Sequence, residues 1–381
     1  MNLKSFFENV LQIIKRITPP RLKYLTKTVI KTKNIRNEQA FIKNNNKEIK
    51  DIEKSLWQLS YDGPNYASMF IKEYLDKSVK PIKVLRLTLK ENDPILLCAV
   101  KNDLDKVKMQ IEYHRKIGIK HFAYIDNMSD DGTFEWLKGQ DDVSLFSVDK
   151  IFKASVKNAW KRQVTDILGY DKWYLNLDSD ELFIYPGVET KNINAYVDFL
   201  ECKKIKSTLS PMIDMYSIGA IFGETYLNSR GIQNKYCYFD IDTYKMEKSH
   251  SKYLIAGGPR MRLFPKFSCL LTKYALVKLS KEVLLDTHGN YPHKYSFQTK
   301  GVIAFLLHYK FLLQDYNEYK KRAISGVMHG ESAEYKYYIN ILEQNPNLSF
   351  YYAGSSKLNG SMDLMKINIV DKNFFKKFLS E

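Results

Sequence analysis

Between residues 82 and 200 the chain alternates short apolar runs with longer amphipathic ones. Ile95 to Val100 is an apolar run of strand length and predicts a buried strand. Asp103 stands where a helix N-cap belongs, and Val107, Ile111 and His114 follow on successive turns of a helix to Ile117, with Gly118 as its stop. His121 to Asp126 reads as a second strand, Asp131-Gly132-Thr133 opens a short helix to Leu137, and Val143 to Val148 is a third strand. Ser155 to Leu168 is helical in spacing and stops at Gly169; Trp173 to Leu177 is the fourth strand. Strands and helices taking turns with short links predict an α/β fold: a mostly parallel, Rossmann-like sheet flanked by helices. Ligands of such sheets bind beyond the carboxyl ends of the strands. At those ends the sequence places Lys101-Asn102, Asp126-Asn127 and Asp178-Ser179-Asp180.

The first fifty residues differ. They hold twelve Lys or Arg against three acids, a large share of the net charge of +16. Leu3, Phe6, Phe7, Val10, Leu11, Ile14 and Ile17 recur at helical spacing before Pro19-Pro20 ends the pattern. A basic amphipathic helix of this kind predicts contact of residues 1–27 with an anionic membrane surface; docking on the protein's own body is the other reading. Residues 31–50, rich in Lys and Asn, read as a linker. Residues 51–82 then read as a helical connection, 83–200 and 201–356 as the two halves of the main body and 357–381 as a tail. No apolar run approaches the roughly 20 residues of a membrane span, and no cleavable signal is evident. A cytoplasmic protein, peripheral at the inner membrane, is expected. Four scattered cysteines without a CxxC pair fit reduced thiols.

The basic balance predicts an anionic partner. The acidic exception is Asp178, Asp180 and Glu181, three carboxylates in four residues at a strand end. Their repulsion needs a counter-charge, and hard oxygen donors at this spacing suit Mg²⁺ or Mn²⁺. A solvated acidic turn is the plainer reading.

Three segments in this order carry a resemblance: VKND at Val100–Asp103, YIDNMSDDGT at Tyr124–Thr133 and LNLDSDELF at Leu175–Phe183. With IDMYS, YFDIDTY, GGPRMRLF and LLHYKFL further on, the chain from about 83 to 356 resembles family 2 glycosyltransferases of the GT-A fold, in a bacterial branch. The resemblance implies inverting, metal-dependent transfer of a sugar from a nucleotide-diphosphate donor to a glycan or lipid-linked acceptor, in the building of surface polysaccharide. It implies that Asp126 contacts the base and that Asp178 and Asp180 form the DXD metal motif, with Asp178 also on the donor. Asn127 stands where the family has a second carboxylate, and Met128 where it has glycine.

Other candidates come from the residues alone. Lys101, Asn102 and Asn127 fall at the crevice. Arg260 and Arg262, on a chain read as extended, face one way as a pyrophosphate clamp behind Gly257-Gly258. Asp214 is the first candidate general base and Asp240 the second, with Asp242 beside it. His288, among loop residues, is a candidate metal ligand; His308, in an apolar setting, reads as a core histidine bonded to backbone. Two other functions would share these features: a basic nucleic-acid-binding protein, although no binding module is recognisable, and a metal-dependent phosphohydrolase or nucleotidyltransferase using the same carboxylates. No nucleic-acid partner is expected.

Overall fold

The computed structural model describes residues 34–62, 65–86, 90–223, 229–266, 269–286, 288–325 and 332–381. The expected membrane helix at the N-terminus lies outside them. No helix among the described residues is long and apolar enough to cross a membrane.

The central sheet has six strands. They are β1 (Lys80–Lys83), β2 (Ile95–Val100), β3 (His121–Asp126), β4 (Val143–Ser147), β5 (Lys172–Leu177) and, later in the chain, β8 (Leu276–Leu279). The order is β1-β4-β3-β2-β5-β8; the inner four are parallel, and β1 and β8 add antiparallel edges. This is the α/β, mostly parallel arrangement that the alternation predicts. The strands read as unbroken apolar runs because both faces are covered. Alternate residues point to opposite faces. Leu96, Cys98, Phe122, Tyr124, Trp173 and Leu175 pack into one core with Val107 and Ile111 of helix α3 (Leu104–Lys116). Ile95, Leu97, Ala123, Ile125 and Tyr174 pack into the other with Trp160 and Val164 of helix α5 (Ala154–Leu168). Between these helices in the chain comes α4 (Thr133–Lys138), whose Leu137 packs into the core on the α3 side.

A three-stranded sheet lies beyond the end of β5. Its strands are β6 (Glu181–Ile184), β7 (Met212–Asp214) and, in the middle, β9 (Phe305–His308). β9 runs antiparallel to β6 and parallel to β7, and one register line carries Glu181, His308 and Asp214 side by side. The chain passes from β5 to β6 through Asp178-Ser179-Asp180, so the acidic turn is the seam between the two sheets.

Two terminal segments differ from expectation. Residues 34–44 are helical rather than a linker. With α1 (Glu53–Asp62) and α2 (Tyr66–Asp76) they form a layer in which Ile42, Ile49, Leu56, Phe70 and Ile71 pack against Ala159 of α5 and Tyr291. The Lys- and Asn-rich composition hid these widely spaced isoleucines. The expected tail ends in a helix, Lys372–Ser380, whose Phe375 and Phe378 are buried in the main core.

Candidate active site

The carboxyl ends of β2, β3 and β5 meet at one rim, because the parallel register sets Val100 beside Asp126 and Cys98 beside Leu177. Asp126 is buried; its Oδ2 accepts from the Ser129 backbone N–H at 3.0 Å, while buried Oδ1 has no hydrogen-bond partner among the described residues. Burial pushes this carboxyl above the usual range. Asn127 is buried. Its amide donates to the carbonyls of Val148 and Lys150 at 3.0 and 2.9 Å and so fixes the strand end after β4. Asn102 is exposed with a left-handed φ of 52° and exchanges hydrogen bonds with Asp130; Lys101 beside it is exposed. Asp103 starts α3 without capping it. Instead its carboxylate accepts from Ser179 Oγ at 2.5 Å and lies 3.5 Å from Lys106 Nζ, tying the β2 loop to the acidic turn.

The acidic turn is neutralised by side chains. Asp178 Oδ1 lies 2.7 Å from Lys157 Nζ and Oδ2 lies 2.8 Å from Lys273 Nζ. Lys273 also lies 3.0 Å from Glu181 Oε1, an ion pair outside hydrogen-bond alignment, since that oxygen has no hydrogen-bond partner among the described residues. Lys161 reaches Asn176 and the Leu177 carbonyl, one residue before Asp178. Burial opposes the charge of Asp178, but Lys157, Lys273 and Lys161 outweigh it and hold the carboxyl well below its usual range. Glu181 goes the other way: its burial, with Asp178 and Asp180 close by, outweighs Lys273 and raises it.

Asp180 faces a different partner. Its Oδ2 is 3.4 Å from His308 Nε2, and His308 Nδ1 is 2.6 Å from Asp214 Oδ1. Asp214 Oδ2 in turn accepts from Arg260 Nε at 2.7 Å. The result is a row, Asp180–His308–Asp214–Arg260, buried but for half-buried Asp180, in which the β9–β7 register sets His308 beside Asp214. Burial disfavours the imidazolium, yet Asp180 and Asp214 together raise the His308 pKa above its ordinary value. Both carboxylates are correspondingly depressed despite burial, Asp180 by His308 and Asp214 first by Arg260.

This geometry assigns other work to several sequence candidates. Asp214 is enclosed by Arg260 and His308, so it positions the histidine and has no oxygen facing an acceptor. Asp240 is fully buried, accepting from Tyr216 Oη at 2.6 Å and pairing with Arg262 at 3.2 Å. Arg260 and Arg262 lie on a short helix, α7 (Gly258–Leu263), and not on an extended chain. Two residues apart on a helix they diverge, to Asp214 and Asp240 respectively; the clamp reading assumed a strand. His288 Nδ1 lies 2.8 Å from the Thr272 carbonyl, and burial with Lys273 nearby lowers its pKa to about 4. Sequence reasoning passed over Lys157, Lys161, Lys273 and Lys106, and read Asp103 as a helix cap rather than as a tie to the acidic turn. The i, i+4 spacing of Lys157 and Lys161 on an otherwise apolar helix face was the one available signal. His308 was read as a backbone-bonded core residue, and it is instead the link between two carboxylates.

For the divalent ion that the resemblance implies, the donors do not fit. Both oxygens of Asp178 are engaged by ammonium groups, Asp180 faces His308, and His288 bonds backbone. Among the described residues no group of three His, Cys, Asp or Glu side chains is placed to share a metal.

No family model and no curated protein matches the chain. Among solved structures it is similar over part of its length to a mannosyltransferase from Pyrobaculum calidifontis, solved with GDP-Man and Mn²⁺. There the identity is 14% over 38% of this chain and 44% of that chain, with a TM-score of 0.25. TarS of S. aureus shows 11% identity over 66% of this chain and 72% of that one, TM-score 0.26. HddC from Yersinia pseudotuberculosis shows 12% over 59% and 97%, TM-score 0.27. TM-scores this low decide nothing about activity, which has to be argued from the site.

Proposed function

We propose that this chain is a glycosyltransferase that takes a sugar from a nucleotide-diphosphate donor. The observation that carries the reading is Asp126 Oδ1, a buried acceptor without a partner among the described residues, at the rim where the parallel strands end. Leaving a buried carboxylate oxygen unpaired costs about 1–3 kcal/mol, more if charged. A ligand N–H or O–H, as on a nucleobase or ribose, removes that cost. The rest of the rim suits an anion-bearing donor: the lysines around Asp178 and exposed Lys101 supply positive charge beside it. Transfer to a glycan or lipid-linked acceptor, inversion, and contact of residues 1–27 with an anionic membrane belong to the same proposal and rest on the sequence.

The test is titration calorimetry of the whole protein with UDP, GDP, CDP and ADP. One of these should bind, and Asp126→Asn should weaken it about tenfold, the worth of one hydrogen bond to a charged group. The substitution keeps the shape and the acceptor for Ser129. If none binds, or if the variant binds as well as the wild type, the reading is wrong. Binding of DNA in place of nucleotides, falling steeply with salt, would favour the nucleic-acid alternative.

A further inference from the structure

We propose that the donor's diphosphate is held by Lys157, Lys161 and Lys273, which take the place of a divalent ion. The inference rests on the nucleotide-diphosphate reading above. Lys157 and Lys161 sit one turn apart on α5, and Lys273 arrives from the opposite side, three residues ahead of β8. All three reach the end of β5, where the two sheets part. Keeping an ammonium out of water costs several kcal/mol even after relaxation, and like charges this close repel. One lysine would neutralise Asp178; the site has three. Against them stand Asp178 and Glu181. Three ammonium groups against two carboxylates leave positive charge over.

That surplus lies behind Asp178. The Asp178 side chain is 31% exposed, while those of Lys157 and Lys273 are 8% exposed beneath it. Asp178 therefore acts as the lid on two ammonium groups and takes one of the three N–H donors of Lys157. A diphosphate entering at the rim takes the place of the Asp178 carboxylate against these ammonium groups. The start of α5 adds to the field: its N-cap, Lys153, makes no side-chain cap, and Lys157 is on the first turn. A divalent cation at Asp178 would instead have to displace two ammonium groups and sit among three. The chemistry asks for charge against the leaving diphosphate as the sugar–phosphate bond breaks, and ammonium groups supply it as protons do not need to move.

The experiment measures the same nucleoside diphosphate by calorimetry on the whole protein, once in EDTA and once with Mn²⁺. Equal affinity in both is expected, with inorganic pyrophosphate competing in EDTA. Lys157→Gln and Lys273→Gln should each weaken binding about tenfold, and the Arg substitutions should recover part of it. Pyrophosphate competition in the chelated wild type gives a readout even if a variant misfolds. Binding that requires Mn²⁺ and vanishes in EDTA overturns the lysine inference and leaves the nucleotide reading standing. No binding of any nucleoside diphosphate under either condition overturns both.

Discussion

His308 is the residue whose surroundings most change its meaning. In a sequence it is one histidine in an apolar strand; in the fold it bridges Asp180 and Asp214. Removing one partner of such a buried ionic row leaves charge uncompensated, at about 3–5 kcal/mol. His308→Gln should therefore lower the melting temperature by several degrees at pH 6. The pH dependence has a definite sign. The folded pKa of His308 is raised above its ordinary 6.5, so its contribution is full below 6.5 and is lost as pH rises through the folded value. The melting gap between wild type and variant should thus shrink from pH 6 to pH 9; a constant gap would show a histidine that stays neutral. Lys161 has the opposite sign. Burial, with Lys157 alongside, lowers its pKa to about 8 from 10.5. Its buried charge is a cost below pH 8 that fades as the group deprotonates, so wild type should gain on Lys161→Met between pH 8 and 10.5. A difference that does not move with pH in that range would mean an ordinary, solvated lysine.

At the scale of elements, the site depends on how short segments are aimed. Helix α7 points Arg260 at Asp214 because the chain turns sharply at Gly257, whose φ is 127°. A Cβ there would lie 2.2 Å from the Thr243 carbonyl oxygen, a backbone atom with little room to yield. Gly257→Ala combines that clash with a backbone conformation foreign to L side chains. It should cost well over 1 kcal/mol and melt several degrees lower, whereas Gly139→Ala, at a helix end with ordinary φ and contacts no closer than 3.5 Å, should be nearly silent. Similar melting of the two variants would contradict the tight turn. The strand-end after β4 is held by the Asn127 amide in the same manner, which makes that asparagine a builder of the rim.

For the whole molecule, the N-terminal layer is part of the body from residue 34 on. Glu38 is 2% exposed, and its carboxylate accepts from the backbone N–H groups of Ala67 and Ser68 at 2.8 and 3.1 Å, serving the start of α2 from a distant helix. Ile42 and Ile49 are buried beside it. A chain beginning at residue 51 loses Glu38 and both isoleucines. At about 25 cal/mol per Å² of apolar surface the loss is several kcal/mol, and a lower melting temperature or aggregation is expected. If the shorter chain melts normally, the layer is only draped on the body. The membrane proposal for residues 1–27 is separate from this and is tested by vesicle binding of the chain with and without residues 1–33.

What the sequence determined by itself was the local and periodic part. The strands at Ile95–Val100 and His121–Asp126 fall at the predicted residues, and helix α5 starts within one residue of its prediction, because apolar run length and glycine stops are written along the chain. The alternation also put Asp126 and Asp178 at strand ends, where the rim formed. The tertiary structure alone decided which charges met. A cluster of carboxylates in sequence demands a counter-charge without naming it, and the counter-charges came from residues 157, 161, 273 and 308, spread over much of the chain. Strand register set His308 beside Asp214 ninety-four positions earlier, and a helix where a strand was read sent Arg260 and Arg262 to separate partners. Pairing across such distances is fixed by packing and register, which leave no periodic trace in the order of residues.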